Sequence, residues 1–384
     1  MFAAAAAGQT PHFRLNLHRL GDAVERVAVV TRRRFPDLRV PYHSRWRHFA
    51  AAGRDRAALV PPGANPRETV RARIDLAVVS VLLDAGAGPG WRYREAETGL
   101  VLARSEGLAV ASLRAMQSGL FSADAKAPWR ADAAALQQVS AARLAAAFQH
   151  GRGNKLAGLE GRAALLRRLG AALTANPDIF GHPARVGNLV DYMISLSAPG
   201  VGEGAEHVMP ASELLRLMLR VLAPIWPERM PGLPPGDFGR HRAVPGDGLV
   251  PFHKLSQWLT YSLVEPLEAA GVAVTDLDGL TGLPEYRNGG LLIDAGVLEP
   301  RDPSLVERTL DPLDEAVVEW RALTVALLDR MADAVRARLG LDAAQLPLAK
   351  VLEGGTWAAG RRIAREKRAD GGPPLDIESD GTVF

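Results

Sequence analysis

The sequence predicts a mainly α-helical protein with few short strands, on three observations. Apolar residues recur three and four apart over long stretches. Period-two alternation is confined to two short segments. Clusters of glycine and proline punctuate the chain between the periodic runs. In chain order, the run IDLAVVSVLLDAGAGPG at 74–90 reads as a helix ended by a glycine cap. WRYREAETGLVL at 92–103 alternates and reads as a pair of strands. ADAAALQQVSAARLAAAFQ at 131–149 is an apolar stripe on an alanine-rich frame, which favours one continuous helix. Further helices are expected at 159–174, 184–197, 210–223 and 252–270, with a short strand near 272–275. The helix expected at 312–339 opens with Pro312 in its first turn and stops at Gly340, with arginines near its end. A shorter one is expected at 342–352, and a basic one at Ala358–Arg368.

Punctuation falls at 61–66, 84–90, 198–204, 224–250 and 371–374. The stretch 224–250 carries Pro224, Pro227, Pro231, Pro234, Pro235 and Pro245 together with Trp226, Met230 and Phe238, so it reads as an ordered loop. One helical domain over 1–384 is expected, with a subdomain boundary near 200–245 as the alternative. The C-terminal Ile377, Val383 and Phe384 suggest an extended segment docked on the body.

Composition excludes several chemistries. Hydrophobic residues make up 47% and charged ones 23% of 384 residues, the balance of a folded globular chain. There is no cysteine, so a thiol nucleophile, a disulfide framework, a Cys-ligated zinc or an iron–sulfur cluster is ruled out. Five of the 46 basic residues are lysine and the rest arginine, while the net charge is only +3. That balance supplies little of the phosphate attraction a nucleic-acid binder needs. The opening MFAAAAAGQT lacks a basic leader region, and no run reaches the length of a membrane span. A cytoplasmic protein with no membrane partner is expected.

Six motifs stand out. The glycine-rich DAGAGPG at 84–90 superficially matches a nucleotide-cofactor loop. The next residues, WRYREAETG, lack the pattern of an amphipathic helix, so a turn is the better reading. Tyr42–Phe49 (YHSRWRHF) places His43 and Arg45 in an anion- and base-binding strip, or in a packed aromatic surface cluster; the spacing of His43 and His48 does not suit a metal. PFHKLSQW at 251–258 holds His253, Lys254 and Gln257 around one helix start, with lysine kept where arginine is the habit. LTGLPEYRNGG at 280–290 sets Glu285, Tyr286 and Arg287 after a proline and before two glycines, which close approach of a ligand or another backbone would justify. Glu319-Trp320-Arg321 lies mid-helix among apolar residues, either as a buried salt bridge or as part of a site. The last, GGTWAAGRRIAREKRADGGPP, carries the basic helix.

Together, RVPYHSRWRHF, DAGAGPGWRY, RSEGLAVASL, GLPEYRNGGLLIDAGVL and the ending from GGTWAAGRR to Phe384 resemble the uracil-catabolism (Urg/Urc-type) family of fungi and bacteria, formerly a domain of unknown function. The resemblance runs from about residue 10 to Phe384. It implies a pathway that converts uracil to its nucleotide, opens the ring and releases urea from a ribosylurea-type intermediate, with other enzymes of that pathway as partners. PFHKLSQWLTYSL, LTGLPEYRNGG and VEWRALTVALL are also similar to core blocks of the queuosine-nucleotide salvage N-glycosylases. That resemblance implies a helical, DNA-glycosylase-like architecture and cleavage of an N-glycosidic bond. The family's aspartate before the Tyr–Arg pair is replaced here by Glu285. Its lysine matches Lys254 and its arginine Arg321. Its Pro–Gln pair is replaced by Asn288-Gly289-Gly290, which fits a smaller leaving group.

The two resemblances together imply an N-glycosidase acting on a nucleotide-like small molecule without metal or cofactor. Glu285 and Lys254 are the expected catalytic residues. Glu285 acts as nucleophile, electrostatic partner or base, and the sequence leaves that choice open. Tyr286, Arg287, Arg321, Glu319, His253, Gln257, His43 and Arg45 are expected to hold the substrate. A phosphoribosyl-transferring enzyme is one alternative, and a non-enzymatic nucleotide-binding regulator or scaffold is another.

Overall fold

The helical period carries through to the computed structural model, which describes residues 1–200, 206–226 and 236–378. The longer helices are α1 (Leu20–Arg34), α2 (Pro66–Leu82), α3 (Arg104–Gln117), α4 (Leu159–Ala175), α5 (Leu189–Leu196), α6 (Ala211–Leu222), α7 (Lys254–Glu268), α8 (Tyr286–Asp294), α9 (Glu315–Leu339) and α10 (Trp357–Lys367). Strands are two to four residues long and pair in small separate sheets. The protein is therefore mainly α, as its sequence predicts. No helix among the described residues is long and apolar enough to cross a membrane.

Its residues fall into two compact units, each drawn from separated stretches of chain. The first comprises Met1–His43, Asp237–Gln257 and Leu277–Glu378. Here Phe13–Leu15 pairs antiparallel with Leu298–Pro300, and Thr309–Leu310 runs parallel to Asp376–Ile377. The docked C-terminal segment expected from Ile377 is this last strand; Val383 and Phe384 lie outside the described residues. Helix α9 carries the core, burying Val317, Trp320, Leu323, Leu327 and Met331 along one stripe. It begins at Glu315, three residues later than the sequence suggests, because Asp311–Asp314 forms a turn: the Asp314 amide reaches the Asp311 carbonyl at 3.0 Å. Pro312 sits in that turn. Gly340 ends α9 at φ +73° as expected.

Two glycines fix how α8 packs. A Cβ on Gly289 would come within 2.6 Å of the Trp320 indole nitrogen, and one on Gly360 of α10 would strike the Arg287 carbonyl, whose carbon lies 3.0 Å away. Gly290 faces Pro374. The close approach anticipated for the Gly289–Gly290 pair is thus made by the protein's own indole and proline ring. Since backbone cannot yield as a side-chain tip does, Gly360→Ala is expected to destabilise the fold by about 3 kcal/mol. A urea melt read by circular dichroism checks it; an unchanged midpoint would show that α8 and α10 slide apart at no cost.

The second unit comprises the described residues of Ser44–Gly236 and Trp258–Asp276. Its sheet orders Ala198–Pro199, His207–Pro210 and Val272–Thr275, the last two in parallel. Tyr93–Arg94 and Val101–Leu102 make the hairpin expected at 92–103. Buried ion pairs tie its helices: Arg185 donates to Asp75 of α2 at 2.7 Å, and Glu95 takes Arg56 and Arg114, each at 2.6 Å.

Three expectations are corrected. The run at 131–149 is two short helices, Ala133–Gln137 and Ala141–Ala147. Ser140 interrupts it, turning its side chain onto the Arg143 amide at 3.2 Å to cap the second. Helix α2 ends on Leu83 at φ −90°, without a left-handed glycine. The carbonyls of Ala85 and Gly86 instead turn onto the buried Arg162 guanidinium at 2.9 and 2.7 Å, together with that of Leu83. A loop built to present carbonyls to a cation is the reverse of a phosphate cradle. Finally, 342–352 holds only Leu348–Val351, which runs into a π-helical turn at Leu352–Thr356. The prolines at 227, 231, 234 and 235 and Met230 lie outside the described residues; Phe238–Arg240 and Leu249–Pro251 beyond them form a hairpin.

Candidate functional site

The first unit gathers ionisable side chains around the starts of α7 and α8. Leu249–Pro251 delivers Phe252 and His253, whose amides both reach the Asp237 carbonyl, at 2.8 and 3.2 Å. His253 takes a positive φ of 48° to make this turn. The Asp237 carboxylate then accepts the Lys254 amide at 3.0 Å, capping α7. From α9, Arg321 grips the same carboxylate with two parallel bonds of 2.8 and 2.7 Å. The Phe252 ring lies 3.9 Å from the Arg321 guanidinium carbon, and Phe238 meets His253 edge-on at 4.9 Å.

Glu285 caps α8. Its Oε2 accepts the Arg287 amide at 2.8 Å and its Oε1 the Asn288 amide at 2.7 Å. Each oxygen keeps a further lone pair. The residue is half-buried. Burial pushes its carboxyl above the ordinary glutamate value, outweighing the two amides and the charges of Arg287 and Lys254. Lys254 thus acts on two carboxylates, for its charge also favours the Asp237 anion. Burial alone would raise Asp237, but Arg321 and Lys254 hold it below the usual aspartate range. Burial lowers the His253 imidazole below the ordinary histidine value, against the attraction of Asp237.

The remaining expected residues divide clearly. Gln257 is buried and accepts the Thr281 amide at 3.2 Å, which ties α7 to the segment leading to Glu285. Arg287 is buried, donates to the Gly371 carbonyl at 2.9 Å and lies over the Tyr286 ring. Asn288 is tied to Thr356 at 2.9 Å and to the Leu283 carbonyl at 3.1 Å. With Gly289 against Trp320, the Asn-Gly-Gly sequence serves the packing of α8. Glu319 is buried and accepts from the His12 and Phe13 amides and from His241. It pins the first strand, away from its expected role in holding substrate. His43 is buried against Glu353 at 2.9 Å. In the second unit, Arg45 is fully buried, its guanidinium on Asp84 and Ser80 at 2.7 Å each. It closes an internal network and offers no anion-binding strip.

His12, His241 and Glu319 bring potential metal ligands within 4.8 Å of one another. However, the Ala243 amide donates to His241 Nδ1 at 3.0 Å, which places the ring proton on Nε2, facing Glu319 at 2.9 Å. The cluster is built as a hydrogen-bonded clamp, and a cation there would have to expel that proton.

Asp237 is absent from the sequence-based expectations. It sits in a Pro/Gly-rich loop and meets an arginine 84 positions away. No local spacing encodes such a partnership.

A family model described as "Protein of unknown function (DUF1688)" matches residues 1–384. Protein urg3 of Schizosaccharomyces pombe is 40% identical over 355 residues, covering 90% of this chain and 84% of that protein. Uracil catabolism protein 4 of Lachancea kluyveri is 37% identical over 414 aligned positions, covering 98% of this chain and 93% of that protein.

Proposed function

Since this chain belongs to the DUF1688 family, with a relative named uracil catabolism protein 4, we propose that it acts in uracil catabolism and hydrolyses the N-glycosidic bond of a ring-opened pyrimidine nucleotide, of the ribosylurea phosphate kind. The observation that carries this reading is the Glu285 carboxylate: half-buried, aimed by two backbone amides and neighboured by Lys254. Breaking the C1′–N bond leaves positive charge on the sugar, and an oriented carboxylate in a low-dielectric setting stabilises that charge. Water adds to C1′, one of its protons passes to the departing nitrogen, and urea and ribose 5-phosphate result. The Lys254 ammonium supplies a point charge for an anionic substrate group. The Asp237–Arg321 pair positions Lys254 by capping its helix.

Purified protein incubated with ribosylurea 5′-phosphate is expected to release urea and ribose 5-phosphate in equal amounts. No release despite binding would overturn the reading. Because burial raises the Glu285 carboxyl, its anion is lost as pH falls through a value above 4.5. Turnover is therefore expected to drop on the acid side within that range, and a pH–rate profile checks it. A flat profile down to pH 4.5 would remove Glu285 from the chemistry.

A further inference from the structure

His253 enters α7 in a backbone conformation that a histidine adopts at a cost. Its φ of +48° lies in the left-handed region, where a Cβ crowds the following carbonyl oxygen. Glycine takes that region freely, as Gly248 does at φ +73° at the far end of the preceding hairpin loop. The surroundings hold the strained residue in place. The Phe252 and His253 amides share the Asp237 carbonyl, the Lys254 amide takes the Asp237 carboxylate, and the His253 carbonyl accepts the Gln257 amide at 2.9 Å. Strain over-determined in this way gathers at functional sites, where a side chain has to be aimed.

The imidazole is half-buried and meets Phe238 edge-on at 4.9 Å. His12, His43 and His241, the other buried or half-buried histidines of this unit, each spend a ring nitrogen on a glutamate, at 3.1, 2.9 and 2.9 Å. Among the described residues, none hydrogen-bonds a ring nitrogen of His253. Burial lowers the imidazole below the ordinary 6.5, against the attraction of Asp237, so near neutral pH the uncharged ring, with its one nitrogen lone pair, is favoured. The helix start is also tied to the approach to Glu285: Gln257, one turn on, holds the Thr281 amide, and the Lys254 charge reaches the Glu285 carboxyl. The charged groups of this cluster are Asp237 and Lys254 beside His253 in the fold, Glu285 at the start of α8 and Arg321 of α9.

Given that the C1′–N bond breaks at the Glu285 cluster, on which this inference rests, we propose that His253 is the proton carrier of the reaction: its imidazole accepts a proton from the attacking water and delivers it to the departing nitrogen. A water O–H bond breaks as the water oxygen bonds C1′. The C1′–N bond breaks with its electron pair left on nitrogen, and the imidazolium returns the proton there. The ring ends uncharged, as it began, and water is the sole co-reactant. Glu285 then answers the charge on the sugar while His253 moves the proton.

The test is His253→Gly in the full chain. Glycine keeps the positive φ without strain, so the fold is expected to persist, as circular dichroism would show. In single-turnover assays with ribosylurea 5′-phosphate, urea release is expected to fall about 100-fold or more with affinity little changed, the size of an acid–base contribution. Imidazole added to solution is expected to restore part of the rate, increasingly as pH rises and its free base appears. His253→Asn, which tolerates the left-handed backbone but carries no base, is the second variant. It is expected to lose the rate likewise and to show a shallower acid limb in its pH–rate profile, since Glu285 alone then titrates there. Full activity in both variants beside an active unaltered protein would overturn the proposal and leave the Glu285 reading standing. Weaker binding with an unchanged chemical step would also overturn it, leaving His253 a substrate contact. A slower step with no imidazole rescue and an unaltered acid limb would do the same, leaving His253 to shape the loop. No urea from the unaltered protein would overturn both readings together.

Discussion

Glu285→Gln is expected to lower release of urea from ribosylurea 5′-phosphate by about 100-fold or more, with substrate binding little changed. The amide keeps the side chain's size and one acceptor oxygen, so one of the two α8 amides stays capped. What disappears is the negative charge. The competing account is that this carboxylate only caps a helix, since both its oxygens take amides at 2.7–2.8 Å. A helix-end charge is worth about 0.3–1 kcal/mol of stability and nothing in turnover. The two accounts therefore separate on one variant. Single-turnover kinetics gives the chemical step, and a melting curve gives the cap. Full activity with a slightly lower melting temperature would leave Glu285 a cap.

The largest effect on stability is expected at Glu95. This fully buried carboxylate accepts Arg56 Nε at 2.8 Å and Nη2 at 2.6 Å, Arg114 at 2.6 Å, and the Thr98 hydroxyl at 2.7 Å. Glu95→Gln leaves the buried Arg56 guanidinium without its counter-charge and Arg114 with only the exposed Glu97, at about 3–5 kcal/mol. For a unit of this size that lowers the melting temperature by roughly 10 °C. The bond from Arg56 above all, with Thr98 and Arg114, outweighs burial and holds the Glu95 carboxyl down to about 2 from an ordinary 4.5. A depressed carboxylate contributes stability that is complete above its unfolded pKa and lost as pH falls through the folded one. The gap between native and variant melting temperatures is therefore expected to be full above pH 4.5 and to close toward pH 2. A constant gap across that window would mean that Glu95 acts by shape alone.

The two carboxylates and their networks are not equally legible in the sequence. Glu285 announces itself: a proline fixes the approach, the carboxylate sits at the capping position, and the helix begins on the next residue. Lys254 is visible for a similar reason, at the start of a periodic run. Asp237 and Glu95 announce nothing, because their partners are 84 and 39 positions away and local spacing cannot encode them. The same limit explains Arg45 and Glu319. Charge among aromatic or apolar residues looks equally like a site and like a buried pair, and only the long-range partner decides. Helix existence is readable from period throughout. Helix ends are not, where a capping side chain such as Ser140 or a turn such as Asp311–Asp314 overrides propensity.

The first unit is closed by contacts between segments far apart in the chain. Arg14 pairs with Glu299 across 285 positions, and the Phe13 amide waits for Glu319 across 306. On a ribosome, the strand and the apolar stripe of α1 are made long before Leu298–Pro300 and α9, the segments they meet in the finished protein. At ordinary elongation rates that interval is roughly 15 s to a minute. Val24, Val27 and Ala28, buried in the finished protein, lack their native cover for that interval. The contact that seats Phe13 on Glu319 therefore forms only after α9 has been made, and until then the apolar stripe of α1 is open to chaperone capture. Recombinant yield should depend on holdase supply far more than the modest net charge would suggest.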